Sequence, residues 1–185
     1  CVDWLKTLTE VNLDTETEGF FNHFNKIVML QLNYGNCSFV IDVRYIDISP
    51  LKEELEKLLI VGQNLKFDYK FCKFHGIEFS RIYDTFLAEC CLTNGLENRK
   101  LGLSGISEKY LDKTLDKSVR NQFIGLKGEP FTEKQITYGV GDVECLTMIK
   151  DLQLAELNKL DLINWFELEN KACLAIADIE YICSR

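Results

Sequence analysis

The chain is poor in proline, has no two cysteines spaced C-x-x-C, carries fewer basic than acidic residues and contains no long apolar run. Each shortage removes a class of protein. With two prolines and 46% hydrophobic residues in 185, nothing resembles a disordered or low-complexity tract, and the chain can bury a core of single-domain size. No apolar stretch approaches the roughly eighteen residues that a membrane span needs, so no membrane partner is expected. The first fifteen residues lack the basic start and apolar centre of a signal peptide. The expected location is the cytoplasm or another reducing compartment. The eight cysteines fit that setting as reduced thiols, several of them inside apolar helical patterns where a thiol serves as a small hydrophobe. With 21 basic against 29 acidic residues and a net charge of −8, the chain is not a protein that holds nucleic acid by a broad basic surface. It can still be a nuclease if carboxylates converge on divalent cations, because the metals then supply positive charge at the phosphate.

What is present is ordered as strands first, then strand and helix in alternation, then helices. Thr9 to Thr15 alternates, with Val11 and Leu13 apolar between polar neighbours, as a strand does. Ile27 to Asn33 and Cys37 to Val43 are two further strands joined by a turn at Tyr34-Gly35-Asn36, which makes a meander. Pro50 opens a helix with Leu51, Leu55, Leu58 and Leu59 on one face, and Leu59 to Gly62 is a short run suited to a buried strand. A helix from Lys66 to about His75, a short strand from Arg81 to Asp84 and another helix follow. From Leu101 the pattern is helical, with a loop between Leu115 and Phe131. Thr132 to Gln135 has the form of a capping box opening a helix that is expected to run to about Lys159, with Ile136, Val140, Val143 and Leu146 as its apolar face. Leu168, Ala172, Ala175, Ile176, Ile179 and Ile182 then keep helical spacing to the last residue, Arg185. A helix still apolar there, in a chain that begins with Cys, gives the expectation of a piece of something longer. The arrangement is an α/β layer fold with a mixed sheet.

The candidate site residues are acidic. Asp14 and Glu16 stand two apart on a strand, so their side chains leave one face and can share a metal ion; taken alone the pair also fits solvated strand-end charges. Asn64 and Asp68 flank Leu65-Lys66-Phe67 just after a buried strand, where Asn64 fits a helix cap and Asp68 can meet Asp14 across the sheet end. Lys66 and Lys70 fit phosphate contacts or plain surface lysines. Tyr138 and Asp142 stand four apart on one helix face. Gly139 and Gly141 beside them each cost a helix about 1 kcal/mol, which makes sense where a nucleotide or an adjacent strand comes close to the backbone.

The ordered set Asp14-Thr15-Glu16, Asn64 to Asp68 and Tyr138 to Asp142 resembles the three exonuclease motifs of the DEDD superfamily, the proofreading and RNase D-like nucleases. Ile82-Tyr83-Asp84-Thr85, Leu103-Ser104 and the stretch from Leu115-Asp116-Lys117-Ser118 are also similar to it. One position separates the two branches. The histidine branch places its residue five before the last aspartate, and that position is Thr137; Tyr138 fills the tyrosine place, so the chain resembles the DEDDy branch. His23 and His75 lie elsewhere and are expected at the surface.

The resemblance implies an RNase H-like fold, a mixed five-stranded sheet flanked by helices with a helical C-terminal part. It implies two divalent cations, Mg2+ with Mn2+ able to substitute: one held by Asp14, Glu16 and Asp142 and activating a water, the other held by Asp14 and Asp68 and stabilising the leaving 3′ oxygen. With Tyr138, which orients the water, these are the expected catalytic residues. Thr15, Thr17, Phe20, Asn64 and Lys66 are the expected substrate contacts, Phe20 either as a wedge against the terminal bases or as ordinary core. The stretches Phe166 to Glu169 and Ala177 to Glu180 are similar to the segment linking exonuclease to polymerase in family A DNA polymerases. On that resemblance, residues 1–165 are the exonuclease domain and 166–185 begin a helical linker toward a covalently attached polymerase domain. The expected substrate is the 3′ end of single-stranded or frayed DNA, cut to nucleoside monophosphates in proofreading. An RNase D-like exoribonuclease, or an inactive nucleic-acid-binding module, are the alternatives.

Overall fold

The computed structural model describes residues 1–115, 118–126 and 128–183. After a short helix α1 (Val2–Leu5), β1 (Glu10–Thr17), β2 (Ile27–Tyr34) and β3 (Cys37–Asp42) form the antiparallel meander. A 3-10 turn (Ser49–Leu51) and α2 (Lys52–Lys57) carry the chain across to β4 (Leu59–Gly62), which lies parallel to β1. Helix α3 (Lys66–Phe74) makes the next crossover to β5 (Arg81–Asp84), parallel to β4. Parallel neighbours need such crossovers, whereas antiparallel ones need only a turn. The result is one five-stranded mixed sheet in the order β3-β2-β1-β4-β5.

Helices cover both faces. On one, Val11, Leu13, Leu30, Leu32 and Ile60 pack against Leu5, Leu55, Tyr69, Phe71 and Cys72, and against Cys173 and Ala177 of the long helix α8 (Ile163–Cys183). On the other lie α4 (Thr85–Leu92), α5 (Leu103–Leu111), α6 (Glu133–Glu144) and α7 (Leu146–Lys159), with Val61, Tyr83, Val143, Leu146, Leu157 and Phe166 forming one buried cluster. Near the other edge, Val28 and Met29 pack against Val119 and Phe123. All eight cysteines are free, with Cys72, Cys145 and Cys173 buried. Among the described residues no helix is long and apolar enough to cross a membrane.

Several expectations need correction. The helix expected to run from Thr132 to Lys159 is two helices meeting at Cys145 (φ −86°, ψ −14°). The face α6 buries is Gln135, Gly139, Asp142 and Val143, while Ile136 is exposed. The helix settles on β2 through Gly139, where a Cβ would come within 3.0 Å of Met29 Sδ and 2.8 Å of Gln31 Nε2, and this turns Ile136 outward. The close neighbour anticipated at Gly139 is therefore a strand; around Gly141 there is open space. Asn64 does not cap α3. It adopts a left-handed backbone (φ 58°), and Leu65 takes the cap position. His23 is half-buried: its ring packs 4.6 Å from that of Tyr181, and Nε2 donates to the Tyr181 carbonyl at 2.8 Å. His75 is half-buried too. Asp116, Lys117, Ser184 and Arg185, each within a stretch read above, lie outside the described residues.

Candidate active site

Strand parity places Asn12, Asp14 and Glu16 on the face of β1 that α6 and α7 cover, opposite Asn33, Gln31 and Met29 of β2. Helix α6 brings Tyr138 and Asp142 to the same place. Its start is fixed by the capping box: Thr132 Oγ1 accepts from the Gln135 N–H, and Gln135 Oε1 accepts from the Thr132 N–H. Asp14, Glu16 and Asp142 each offer a carboxylate oxygen, and the three oxygens lie within 4.8 Å of one another. Glu16 and Asp142 are buried, and Asp14 is half-buried. Hard oxygens at this spacing fit a divalent cation of the Mg2+ or Mn2+ type, which would offset their mutual repulsion. The Tyr138 hydroxyl is bonded to the Asp142 carboxylate. Burial, then the charges of Asp142, Glu16 and Asp14, push its pKa well above the usual phenol range. Tyr138 thus keeps its proton and serves as a hydrogen-bond donor.

Asp68 approaches from α3, on the other side of β1. One of its oxygens accepts from the Thr15 N–H at 3.1 Å and from the Thr15 hydroxyl at 2.5 Å. Burial pushes its pKa up to about 7, opposed by these hydrogen bonds and reinforced by the nearby charge of Asp84. Asp84 holds the turn that delivers α3: its carboxylate accepts from the N–H groups of Asn64 and Leu65, both at 2.8 Å, and from that of Phe86 at 2.9 Å. Burial raises Asp84 to about 6, against those backbone bonds. Gly62 completes the turn, because a Cβ there would lie 2.9 Å from the Leu13 carbonyl and closer still to the Leu65 side chain.

Around these groups opens a cleft of about 500 Å3. Asp14, Glu16, Asp68, Tyr138 and Asp142 all line it, and so do three of the expected substrate contacts, Thr15, Phe20 and Asn64. Phe20 is 71% exposed, so it is not core. The other two lie outside the cleft lining. The Thr17 hydroxyl donates to the Gly19 carbonyl, and Lys66, together with Lys70, is bound to Glu180 of α8 at 2.6 and 2.7 Å. Phe67, Phe86 and Leu103 supply apolar wall, and neither they nor Asp84 carry a local signal of a site beyond the place of Asp84 in a family-like stretch.

A 3′-5′ exonuclease family model matches residues 2–157, and the chain belongs to that family. It is 32% identical over 169 residues to DNA polymerase I of Aquifex aeolicus (strain VF5), covering 91% of this chain and 28% of that protein. To DNA polymerase I of Borreliella burgdorferi it is 25% identical over 142 residues, 70% of this chain and 15% of that one. The chain thus spans less than a third of the length of either relative. Among solved structures, Brucella melitensis NrnC bound to pGG has a TM-score of 0.83 at 19% identity, over 95% of this chain and 86% of that one. Escherichia coli RNase D has a TM-score of 0.79 at 24% identity, over 95% and 47%. At these identities the two structures establish the shared fold, an RNase H-like α/β arrangement.

Proposed function

We propose that this chain hydrolyses phosphodiester bonds from the 3′ end of single-stranded or frayed DNA, releasing nucleoside monophosphates, as the proofreading unit of a longer polymerase. The observation that carries this reading is the convergence of Asp14, Glu16 and Asp142 beneath the protonated Tyr138, in a cleft that also holds Asp68. Asp14, Glu16 and Asp142 would hold one divalent cation and Asp14 with Asp68 a second, Mg2+ or in its place Mn2+. When bound, the ions supply Lewis-acid charge at the phosphate and a water of lowered pKa. Tyr138, which keeps its proton and so is not the base, orients the attacking water by turning its O–H from Asp142 to that water. Phe20, exposed at the cleft edge, offers a ring on which a terminal base stacks without regard to sequence. Asn64, on its left-handed turn, meets the strand beside it; Thr15, whose N–H and hydroxyl both go to Asp68, and Thr17 and Lys66 would have to leave their present partners to do so.

Residues 1–165 act as the exonuclease domain, and 166–185 lead toward a polymerase domain. The outer face of α8 supports this: Trp165, Leu168, Ile176, Ile179 and Ile182 are all exposed, an apolar strip of the kind that other protein surface covers. In a polypeptide extended through that domain, Trp165 should be shielded from acrylamide quenching relative to the 185-residue chain; equal quenching would remove the assignment.

The likeness to RNase D and to NrnC bound to pGG favours a second reading, an exoribonuclease. Degradation of a 3′-labelled DNA oligonucleotide and of RNA of the same sequence, with Mg2+ or Mn2+, separates the two. Labelled mononucleotide from DNA, absent with EDTA or in Asp14→Ala, is the expected result. Preference for RNA selects the exoribonuclease. Cleavage of neither, with no metal-dependent rise in Tm, overturns catalysis and leaves a binding module.

A further inference from the structure

Asn12 lies on β1 two residues before Asp14, on the same face, and is fully buried. A buried carboxamide is costly unless its groups are paired. Asn12 Nδ2 donates to the Val143 carbonyl at 2.9 Å and to Asn33 Oδ1 at 3.0 Å, while its Oδ1 accepts from the Thr147 hydroxyl at 3.0 Å. The orientation of the amide is settled by Val143, whose carbonyl can only accept. Val143 follows Asp142 in the last turn of α6, and Thr147 sits in the first turn of α7. From the strand that carries Asp14 and Glu16, one side chain thus grips both sides of the Cys145 joint. The Val143 carbonyl lies in the last turn of α6, where a donor from outside the helix is needed, and Asn12 supplies one, whereas Val11 and Leu13 make only apolar contacts on the opposite face.

We infer that Asn12 is a positioning residue: through Val143 and Thr147 it sets where Asp142 stands relative to Asp14 and Glu16, and hence how tightly the three carboxylates take a divalent cation. The inference rests on the reading of those carboxylates as a metal site. Its first readout therefore involves neither substrate nor turnover. Mn2+ is titrated into the purified chain and the free ion followed by its EPR signal, for wild type, Asn12→Leu, Thr147→Val, Thr147→Ser and, as a control, Leu157→Ala.

Loss of a group that holds a metal ligand in place typically weakens metal affinity by about 10–100-fold, and Asn12→Leu should fall at the lower end of that range. Its kcat should drop with it, while KM for the oligonucleotide stays within about twofold. Thr147→Val should show a smaller loss, and Thr147→Ser, which keeps the hydroxyl, should match wild type. Leu157→Ala removes core packing at the far end of α7 and should lower Tm without touching Mn2+ affinity. If Asn12→Leu fails to fold, the Thr147 pair carries the test. Wild-type affinity in both Asn12→Leu and Thr147→Val, or an equal loss in Leu157→Ala, overturns the inference and leaves the metal site standing. A wild-type chain that binds no Mn2+ overturns the metal site, and the positioning role with it.

Discussion

The two faces of β1 are both buried, yet they are built from opposite chemistry. On one, Val11 and Leu13 are fully buried among aliphatic and aromatic side chains. On the other, Asn12 is equally buried, Glu16 is nearly so, and Asp14 stands between them. A strand of alternating polarity ordinarily turns its polar side to water. Here α6 and α7 lie over that side, so each polar group needs a partner: Asn12 finds Val143, Asn33 and Thr147, and the carboxylates lie at the edge of the cleft. The difference teaches where this fold places stability and where it places chemistry. The apolar face gains from leaving water, and the polar face gives up some of that gain to hold charged groups at fixed spacing.

Removing one residue from each face separates their two roles. Asp14→Ala should abolish metal-dependent cleavage by about a thousandfold or more, since several kcal/mol of transition-state stabilisation go with the metal at roughly 1.4 kcal/mol per tenfold. Its metal-free stability in urea should stay the same or rise, because a repelling charge is gone. Leu13→Ala, at the residue just before it, should do the reverse: a loss of about 2–5 kcal/mol of unfolding free energy by urea titration, with cleavage per folded molecule retained. A comparable loss of activity in both would erase the division between the faces.

Metal sharpens it further. Mg2+ at about one hundred times its Kd should stabilise wild type by about 2.7 kcal/mol, seen as a Tm rise of roughly 5–10 °C, and should not stabilise Asp14→Ala. Stability should depend on pH as well. Asp68 and Asp84 are pushed up to about 7 and about 6 by burial, so the folded chain binds protons there that the unfolded chain has released. Their contribution to stability is complete below about pH 4, the unfolded value, and is lost as pH rises through 6 and 7. The metal-free Tm, followed by thermal melts, should therefore fall between pH 5 and 8. Asp68→Asn should flatten the upper part of that slope; an unchanged slope in this variant would show that Asp68 is not the group responsible.

The strands were legible because short apolar or alternating runs bounded by Gly, Asn and Pro leave few other structures. The sharing of one face by Asp14 and Glu16 follows from the two-residue period alone. The start of α6 was legible because a capping box is a local exchange of hydrogen bonds between Thr132 and Gln135. The joint at Cys145 was not, since helical spacing of apolar residues runs through it unbroken, and the side chain that grips it comes from β1, far away in the chain. Lys66 and Lys70 could be read as phosphate contacts only so long as Glu180 was not known to stand between them.

By itself the sequence determined which residues carry charge, which strand parity pairs Asp14 with Glu16, and which motifs occur in which order. These are properties of neighbours along the chain. Tertiary structure alone decided that Asp142 meets Asp14 and Glu16 while Asp68 turns to Thr15, that Phe20 stands at the cleft and Lys66 does not, and that a buried amide holds the joint between α6 and α7. Such distances are set by how helices settle on a sheet, and that depends on contacts between residues that no local pattern relates.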